Sequence, residues 1–231
     1  MAKKIVDLTN EMYDEMPGWP THPGFYLEKC KIYHIDNYRV TAIKMNTHHG
    51  THLDVPSHFI EKGKTLSDLP IERFVGEGIV IDFSEKGDSE EITKEDLMKY
   101  DPEIKKGDFL FLYTGWDKYR GYNDRYLYKW PSLSVDGSEY VRDKGITMIG
   151  IDGLSIEGWG CDVPRMGPIN KTLGQVHGTL LSAEIIIVEE LTNLDKVLDG
   201  KKTARAEFYI LPLRLKGTDG SPVRAIAVKS D

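Results

Sequence analysis

A chain of 231 residues with 40% hydrophobic and 29% charged residues has the composition of a compact globular protein, not of a disordered or fibrous one. Its formal net charge of −7 comes without any basic cluster, which argues against nucleic acid as a partner, because phosphate contacts need concentrated Lys and Arg. No apolar run approaches membrane-spanning length and Met-Ala-Lys-Lys-Ile-Val-Asp at the start has no signal-peptide core, so a cytoplasmic protein with no membrane partner is expected.

Apolar runs bounded by turn residues predict strands over Lys4–Leu8, Tyr26–Ile35 and Arg39–Asn46. In the third, Val40 and Ala42 fall on one face and Ile43 and Met45 on the other, so both faces are expected to be partly covered. A strand over Gly78–Phe83 follows, then a helix over Lys94–Tyr100 opened by the capping-box pair Thr93 and Asp96, then a strand over Phe109–Tyr113. Asp136 is expected to cap a helix that runs through Asp143 and stops at Gly145. After a strand over Thr147–Ile151, the stretch Asn170–Ala183 carries Leu173, Val176, Leu180 and Leu181 as a helical stripe that includes His177. Strands over Ile185–Glu189, Ala206–Leu213 and Val223–Val228 complete the chain. Strand–helix–strand order in the middle and second half predicts some parallel pairing, and the early hairpin-like strands antiparallel pairing. The expected fold is α/β: one domain over residues 1–231, with a mixed sheet and flanking helices. Cys30 and Cys161 lie far apart and outside any CxxC spacing, so they read as two buried, reduced thiols.

The chain has seven histidines, and four of them, His48, His49, His52 and His58, fall within eleven residues. Gly50 and Pro56 disfavour a helix there, and the segment continues a predicted strand. In an extended chain His48, His52, Asp54 and His58 share one parity and point to one face, while His49 points to the other and is left to packing or solvent. A lone histidine is more often structural than functional. Three imidazoles and a carboxylate on one face need many partners in a bare core, and they suit a divalent cation.

The string His48-x-Gly50-Thr51-His52-x-Asp54-x-Pro56-x-His58 matches the HxGTHxDxPxH signature and resembles the cyclase-like metal-dependent hydrolases, among them bacterial kynurenine formamidases (arylformamidases) and isatin hydrolases. The likeness extends to Met16–Pro20, Leu112–Asp117, Gly150-Ile151-Asp152-x-x-Ser155, and His177 with Glu189. It implies a swivelling β/β/α fold with a barrel-like sheet, assembled as a homodimer or tetramer. It implies two divalent ions, zinc or manganese: one on His48, His52 and Asp54, the second on Asp54, His177 and Glu189. It leaves His58 as general acid/base and Trp19 as a wall of the substrate pocket. On the residues alone, His177 reads as a core histidine and Trp19 as a packing aromatic, and composition does not separate Glu189 from Glu190. Glu189 is chosen because it ends a strand and fits the family spacing. Asp152 reads as a turn former or as support for the site, and is left out of it.

An all-nitrogen-and-oxygen donor set suits zinc, manganese or iron in a catalytic role. The implied reaction is hydrolysis of a small amide C–N bond, an aryl formamide such as N-formylkynurenine, by water activated at the metal, with His58 handing a proton to the leaving nitrogen. No Gly-x-Ser-x-Gly elbow is present, so a serine hydrolase is not expected. Isatin-type lactam hydrolysis, or another cyclase-like reaction such as ring closure of a small carbonyl compound, is the alternative within the class. A metal-dependent binding protein without turnover is the alternative outside it, and it gives His58 nothing to do. The loops Pro17–Gly24 and Lys118–Trp130 are expected to shape the pocket; the second, with Tyr119, Tyr122, Tyr126 and Tyr128, suits an aromatic site or a subunit interface.

Overall fold

The structure, a computed structural model, describes residues 3–159 and 174–230. Its strands in chain order are β1 (Lys3–Asp7), β2 (Tyr26–Lys31), β3 (Val40–Lys44), β4 (His52–Asp54), β5 (Val75–Asp82), β6 (Glu91–Ile92), β7 (Phe109–Tyr113), β8 (Ser132–Leu133), β9 (Met148–Ile151), β10 (Ile186–Glu189), β11 (Thr203–Pro212) and β12 (Gly220–Ser230). Between them lie the helices α1 (Tyr33–Asp36), α2 (Lys94–Met98), α3 (Asp124–Tyr128), α4 (Val135–Lys144), α5 (Gln175–Ser182) and α6 (Leu194–Leu198).

Hydrogen bonding runs β12–β11–β5–β7–β9–β10–β4 and returns to β12, which closes a barrel-like ring; β1 adds to β12 from outside. Strands β5, β7, β9 and β10 are parallel, while β11, β12 and β4 run antiparallel to their neighbours. The mixed α/β sheet is the one the pattern predicts, and its barrel-like closure is the one the resemblance implies. Strands β7, β9 and β10 are buried on both faces, which is why they read as continuous apolar runs. In β7, Phe109 and Phe111 enter one core with Val80, Val188 and Phe208, whereas Leu110 and Leu112 enter a second with Ile79, Ile149 and Ile187. Helix α6 covers the first core through Leu194 and Val197; α4 and α5 cover the second through Val141 and Leu180.

Several local expectations change. Thr93 and Asp96 do form a reciprocal capping box, but α4 is capped by Ser134, whose side chain accepts from the Gly137 amide, and Asp136 sits in the first turn instead. Of the helix predicted over Asn170–Ala183, Gln175–Ser182 is helical, and the beginning lies outside the described residues. The strand predicted over Tyr26–Ile35 stops at Lys31, where a helical turn begins that ends on Asn37 at φ 61°. Strand β3 is exposed along its whole length, against the expectation of two partly covered faces, because β2 and β3 pair only with each other and stand off the ring. For the same reason Cys30 is an exposed free thiol and not a buried one; Cys161 lies outside the described residues. No described helix is long and apolar enough to cross a membrane.

The ring depends on one close approach. Gly78 of β5 sits opposite Phe109 of β7, and a Cβ there would stand 2.2 Å from the Phe109 carbonyl oxygen. Gly78→Ala should therefore force β5 and β7 apart and destabilise the protein by about 1–3 kcal/mol or more, read as a lowered Tm by circular dichroism. An unchanged Tm would mean that the ring yields there.

Candidate metal centre

The segment 46–58 is built from turns around a very short strand. Asn46 Oδ1 accepts from the His48 amide at 2.8 Å, and Gly50 adopts φ +62°, which brings the chain sharply into β4. Strand β4 is held on both sides: His52 pairs with Glu189 and Pro222, and Asp54 with Ile187 and Gly220. His52 and Asp54 thus share a face, and Leu53 turns into the first core. Pro56 then opens a 3-10 turn that carries His58. The extended geometry expected for the whole segment holds only for residues 52–54. His48 and His58 reach the same place because the turns fold them back, with their rings stacked 4.0 Å apart; His48 and His52 lie edge to face at 5.2 Å. His49 packs away from the group, its ring against Phe25 and its Nδ1 accepting from the Asn46 amide.

Two donor groups meet at Asp54, which is fully buried. On one side, Asp54 Oδ1 lies 2.7 Å from His48 Nδ1 and 3.5 Å from His52 Nε2. On the other, Asp54 Oδ2 lies 3.7 Å from His177 Nε2, which is itself 3.3 Å from Glu189 Oε1. Glu189 Oε2 closes the circuit at 3.5 Å from His52 Nε2. Each triad, His48–His52–Asp54 and Asp54–His177–Glu189, has its donor atoms within 4.8 Å of one another. A third triad, His48–His58–Asp219, meets the same limit. The adjacent glutamates part company: Glu189 faces the imidazoles, while Glu190, at φ 52°, turns its carboxylate to Tyr126 Oη at 3.0 Å and Arg120 Nε at 3.4 Å.

A cation suits this arrangement. Asp54 Oδ2 is buried and has no hydrogen-bond partner among the described residues, a costly state for a carboxylate oxygen unless a positive group meets it. The imidazoles are also turned so that one nitrogen of each faces the carboxylates. The other lies against an outer acceptor: Gly50 O at 2.7 Å for His52, Glu157 Oε2 at 2.8 Å for His177, and Asp219 Oδ2 at 3.2 Å for His48.

Charge follows the geometry. Burial works against charging His48, but Asp54 and Asp219 outweigh it and raise its pKa to about 10. Burial likewise opposes charge on His177, and Glu157, Glu189 and Asp54 outweigh it, again giving about 10. His58 goes the other way: burial lowers it, Asp54 raises it, and the neighbouring His48 and His177 pull it down further, so it lies below its ordinary value. Burial lifts Asp152 to about 7 although Thr114 and Trp116 donate to it; its carboxylate pins the end of β7 rather than entering the site.

A cavity of about 300 Å³ opens over the donors, walled by Trp19, His22, Phe59 and Leu154. Trp19 packs against Trp159 and Trp130 with ring centroids 5.0 and 5.9 Å away. His22, Phe59, Ser155, Glu157 and Asp219 were not singled out by sequence as site residues. His22 lies in the loop Pro17–Gly24 already expected to shape the pocket, and Phe59 directly follows the motif. Glu157 and Asp219 carried no signal, since nothing local distinguishes a surface carboxylate from one that folding brings against an imidazole.

Because His48 and His177 are protonated in the metal-free protein at neutral pH, a cation must displace those protons. Zn²⁺ binding should release roughly two protons per chain near pH 7 and strengthen as pH rises from about 6 to 9. Calorimetry in buffers of different ionisation enthalpy reads this directly. Binding without proton release would show that these imidazoles are not the ligands.

Residues 6–158 match the model of a family described as putative cyclase. The kynurenine formamidase of Bacillus anthracis is 31% identical over 226 residues, covering 97% of each chain. Isatin hydrolase A from Labrenzia aggregata is 26% identical, covering 99% of this chain and 94% of its own, with a TM-score of 0.84. A predicted metal-dependent hydrolase from Bacillus stearothermophilus is also 26% identical, with full coverage of both chains and a TM-score of 0.76.

Proposed function

The chain belongs to the putative cyclase family, and from that premise we propose that it is a metal-dependent hydrolase of a small amide C–N bond, with an aryl formamide such as N-formylkynurenine as substrate. The observation that carries this reading is Asp54, buried and shared between two imidazole groups, with one oxygen turned to each. We assign His48, His52 and Asp54 to one divalent ion and Asp54, His177 and Glu189 to a second, with zinc or manganese suited to such donors. Ions so held lower the pKa of water to about 7 and polarise the carbonyl to be attacked.

The chain's own residues do the rest. The cavity accepts a molecule of small-aromatic size, and the Trp19 indole offers its ring an apolar wall. His58 lines the cavity, stacked on the His48 ring, and is held largely neutral at pH 7, so it can take a proton from the attacking water. It then hands that proton to the leaving nitrogen. The C–N bond breaks, the formyl carbon keeps the new hydroxyl, and formate and a free amine result. Asp219 Oδ2, 3.7 Å from His58 Nδ1, steadies the imidazole as its charge changes.

The likeness to isatin hydrolase A supports a second reading, in which the bond opened is that of a cyclic lactam. An assay with Zn²⁺ or Mn²⁺ separates the two: formate release from N-formylkynurenine is the expected outcome, and loss of isatin absorbance without formate release would select the second. His58→Ala should keep its metal and lose activity by roughly 10²–10⁴-fold. Loss of metal in that variant would make His58 a ligand.

A homo-oligomer fits this chain, and the β2–β3 hairpin is the surface we assign to a second copy. Ile32, Tyr33, Ile35, Tyr38, Val40 and Ile43 are all exposed there, on a two-stranded unit that has little stability alone. With Lys29, Lys31, Arg39 and Lys44 against Glu28 and Asp36, residues 26–44 carry +2 on a chain of −7, which matches them to the acidic remainder of another copy. Sedimentation should show a dimer or larger, and Ile35→Asp with Ile43→Asp should give a folded monomer; a monomeric parent protein would remove the assignment. The exposed, unpaired Cys30 suits a reducing compartment, and we place the protein in the cytoplasm.

A further inference from the structure

The two sides of the metal centre are braced differently, and the difference singles out a residue with no assigned role. We propose that Glu157 is a positioning residue for the second ion: it takes the Nδ1 proton of His177 and thereby fixes which imidazole nitrogen faces Asp54 and Glu189. The inference rests on the two-ion reading above.

His177 Nδ1 lies 2.8 Å from Glu157 Oε2, while its Nε2 points the other way, 3.3 Å from Glu189 Oε1 and 3.7 Å from Asp54 Oδ2. A neutral imidazole that gives its Nδ1 proton to a carboxylate must present a lone pair at Nε2. Glu157 is 3% exposed, and its other oxygen, Oε1, is buried without a partner among the described residues. Burying a carboxylate that has one side-chain partner among the described residues is a poor structural device, since desolvation opposes it and an apolar residue would fill the same space at less cost. It is a good device for orienting a ligand, because the outer partner holds the ring plane and strengthens the inner nitrogen as a donor.

The backbone around Glu157 is arranged to hold it still. Trp130 Nε1 donates to the Glu157 carbonyl at 3.2 Å. A Cβ on the next residue, Gly158, would stand 2.7 Å from Ser132 Oγ, so the chain lies tight against β8 there. Just before it, Ser155 Oγ and the Ile156 amide both donate to Glu189 Oε1, at 2.7 and 2.8 Å. Residues 155–157 therefore orient the carboxylate and the imidazole of one ion site together. The other side is braced differently: His52 leans on a main-chain carbonyl, and the Asp219 side chain beside His48, although it accepts from Thr47 Oγ1 at 2.8 Å, is 44% exposed. The second ion should thus depend on Glu157 and the first should not.

Metal-free protein titrated with Zn²⁺ by calorimetry, with ion content by elemental analysis, tests this. For Glu157→Ala the expected result is one ion at the parent affinity and the other roughly 10–100-fold weaker. Glu157→Gln should lie within a few-fold of the parent, because its amide oxygen still accepts the Nδ1 proton. Equal weakening of both ions, or two ions at parent affinity in Glu157→Ala, overturns the inference and leaves the two-ion reading standing. A parent protein that binds fewer than two ions overturns both. Should Glu157→Ala fail to fold, ¹⁵N imidazole spectra of the zinc-loaded parent and of Glu157→Gln decide: His177 protonated at Nδ1 supports the inference, and protonation at Nε2 sinks it.

Discussion

Asp54 is the constraint around which the site is organised. A carboxylate with no exposed surface must be met by positive or donating groups, and here both of its oxygens are surrounded by imidazole. Without a cation the protein compensates by protonating its histidines, which is why His48 and His177 hold their protons far above the ordinary imidazole range. With cations bound, the same carboxylate would offer one oxygen to each donor group. One buried charge thus couples the fold, the protonation of His48, His58 and His177 and the capacity to hold metal. His58, lowered where His48 and His177 are raised, is left neutral by this environment.

The ring of strands explains how such a charge can be buried at all. Strand β4 is three residues long, and it is the piece that joins β10 to β12 and closes the sheet. Its backbone is satisfied from both sides, so its polar side chains need not compete for main-chain partners. Register does the remaining work: Glu189 lies directly across from His52, and Gly220 across from Asp54, where a Cβ would stand 2.9 Å from the His48 ring. Donor groups from distant parts of the chain converge on the seam where the ring closes.

Outer contacts then set how firmly each donor is held. His177 and Glu189 share a bracket at residues 155–157, His52 leans on Gly50, and His48 and His58 share an aspartate open to solvent. The more exposed half includes His48, which the chain reaches from the β2–β3 hairpin through the Asn46–Gly50 turn. A buried, hydrogen-bonded inner side and a more open outer side suit a site that would hold metal while exchanging its small-molecule ligand.

The sequence by itself determined a good deal. Continuous apolar runs marked the buried strands, because strands covered on both faces leave little room for polar residues. The crowding of His48, His52, Asp54 and His58 into eleven positions marked the donor group, although the parity argument used for it holds only across residues 52–54 and Gly50 and Pro56 turn the rest. Local patterns could not place what depends on distant pairing. Glu189 and Glu190 are alike in composition, and only the register of β10 on β4 turns one inward and the other toward Arg120. Strand β3 looked covered because its apolar residues fall on both faces, and tertiary structure left it exposed. Glu157 and Asp219 gain their partners through contacts 20 and 171 residues away, His177 and His48 respectively, and no local chemistry records contacts of that kind.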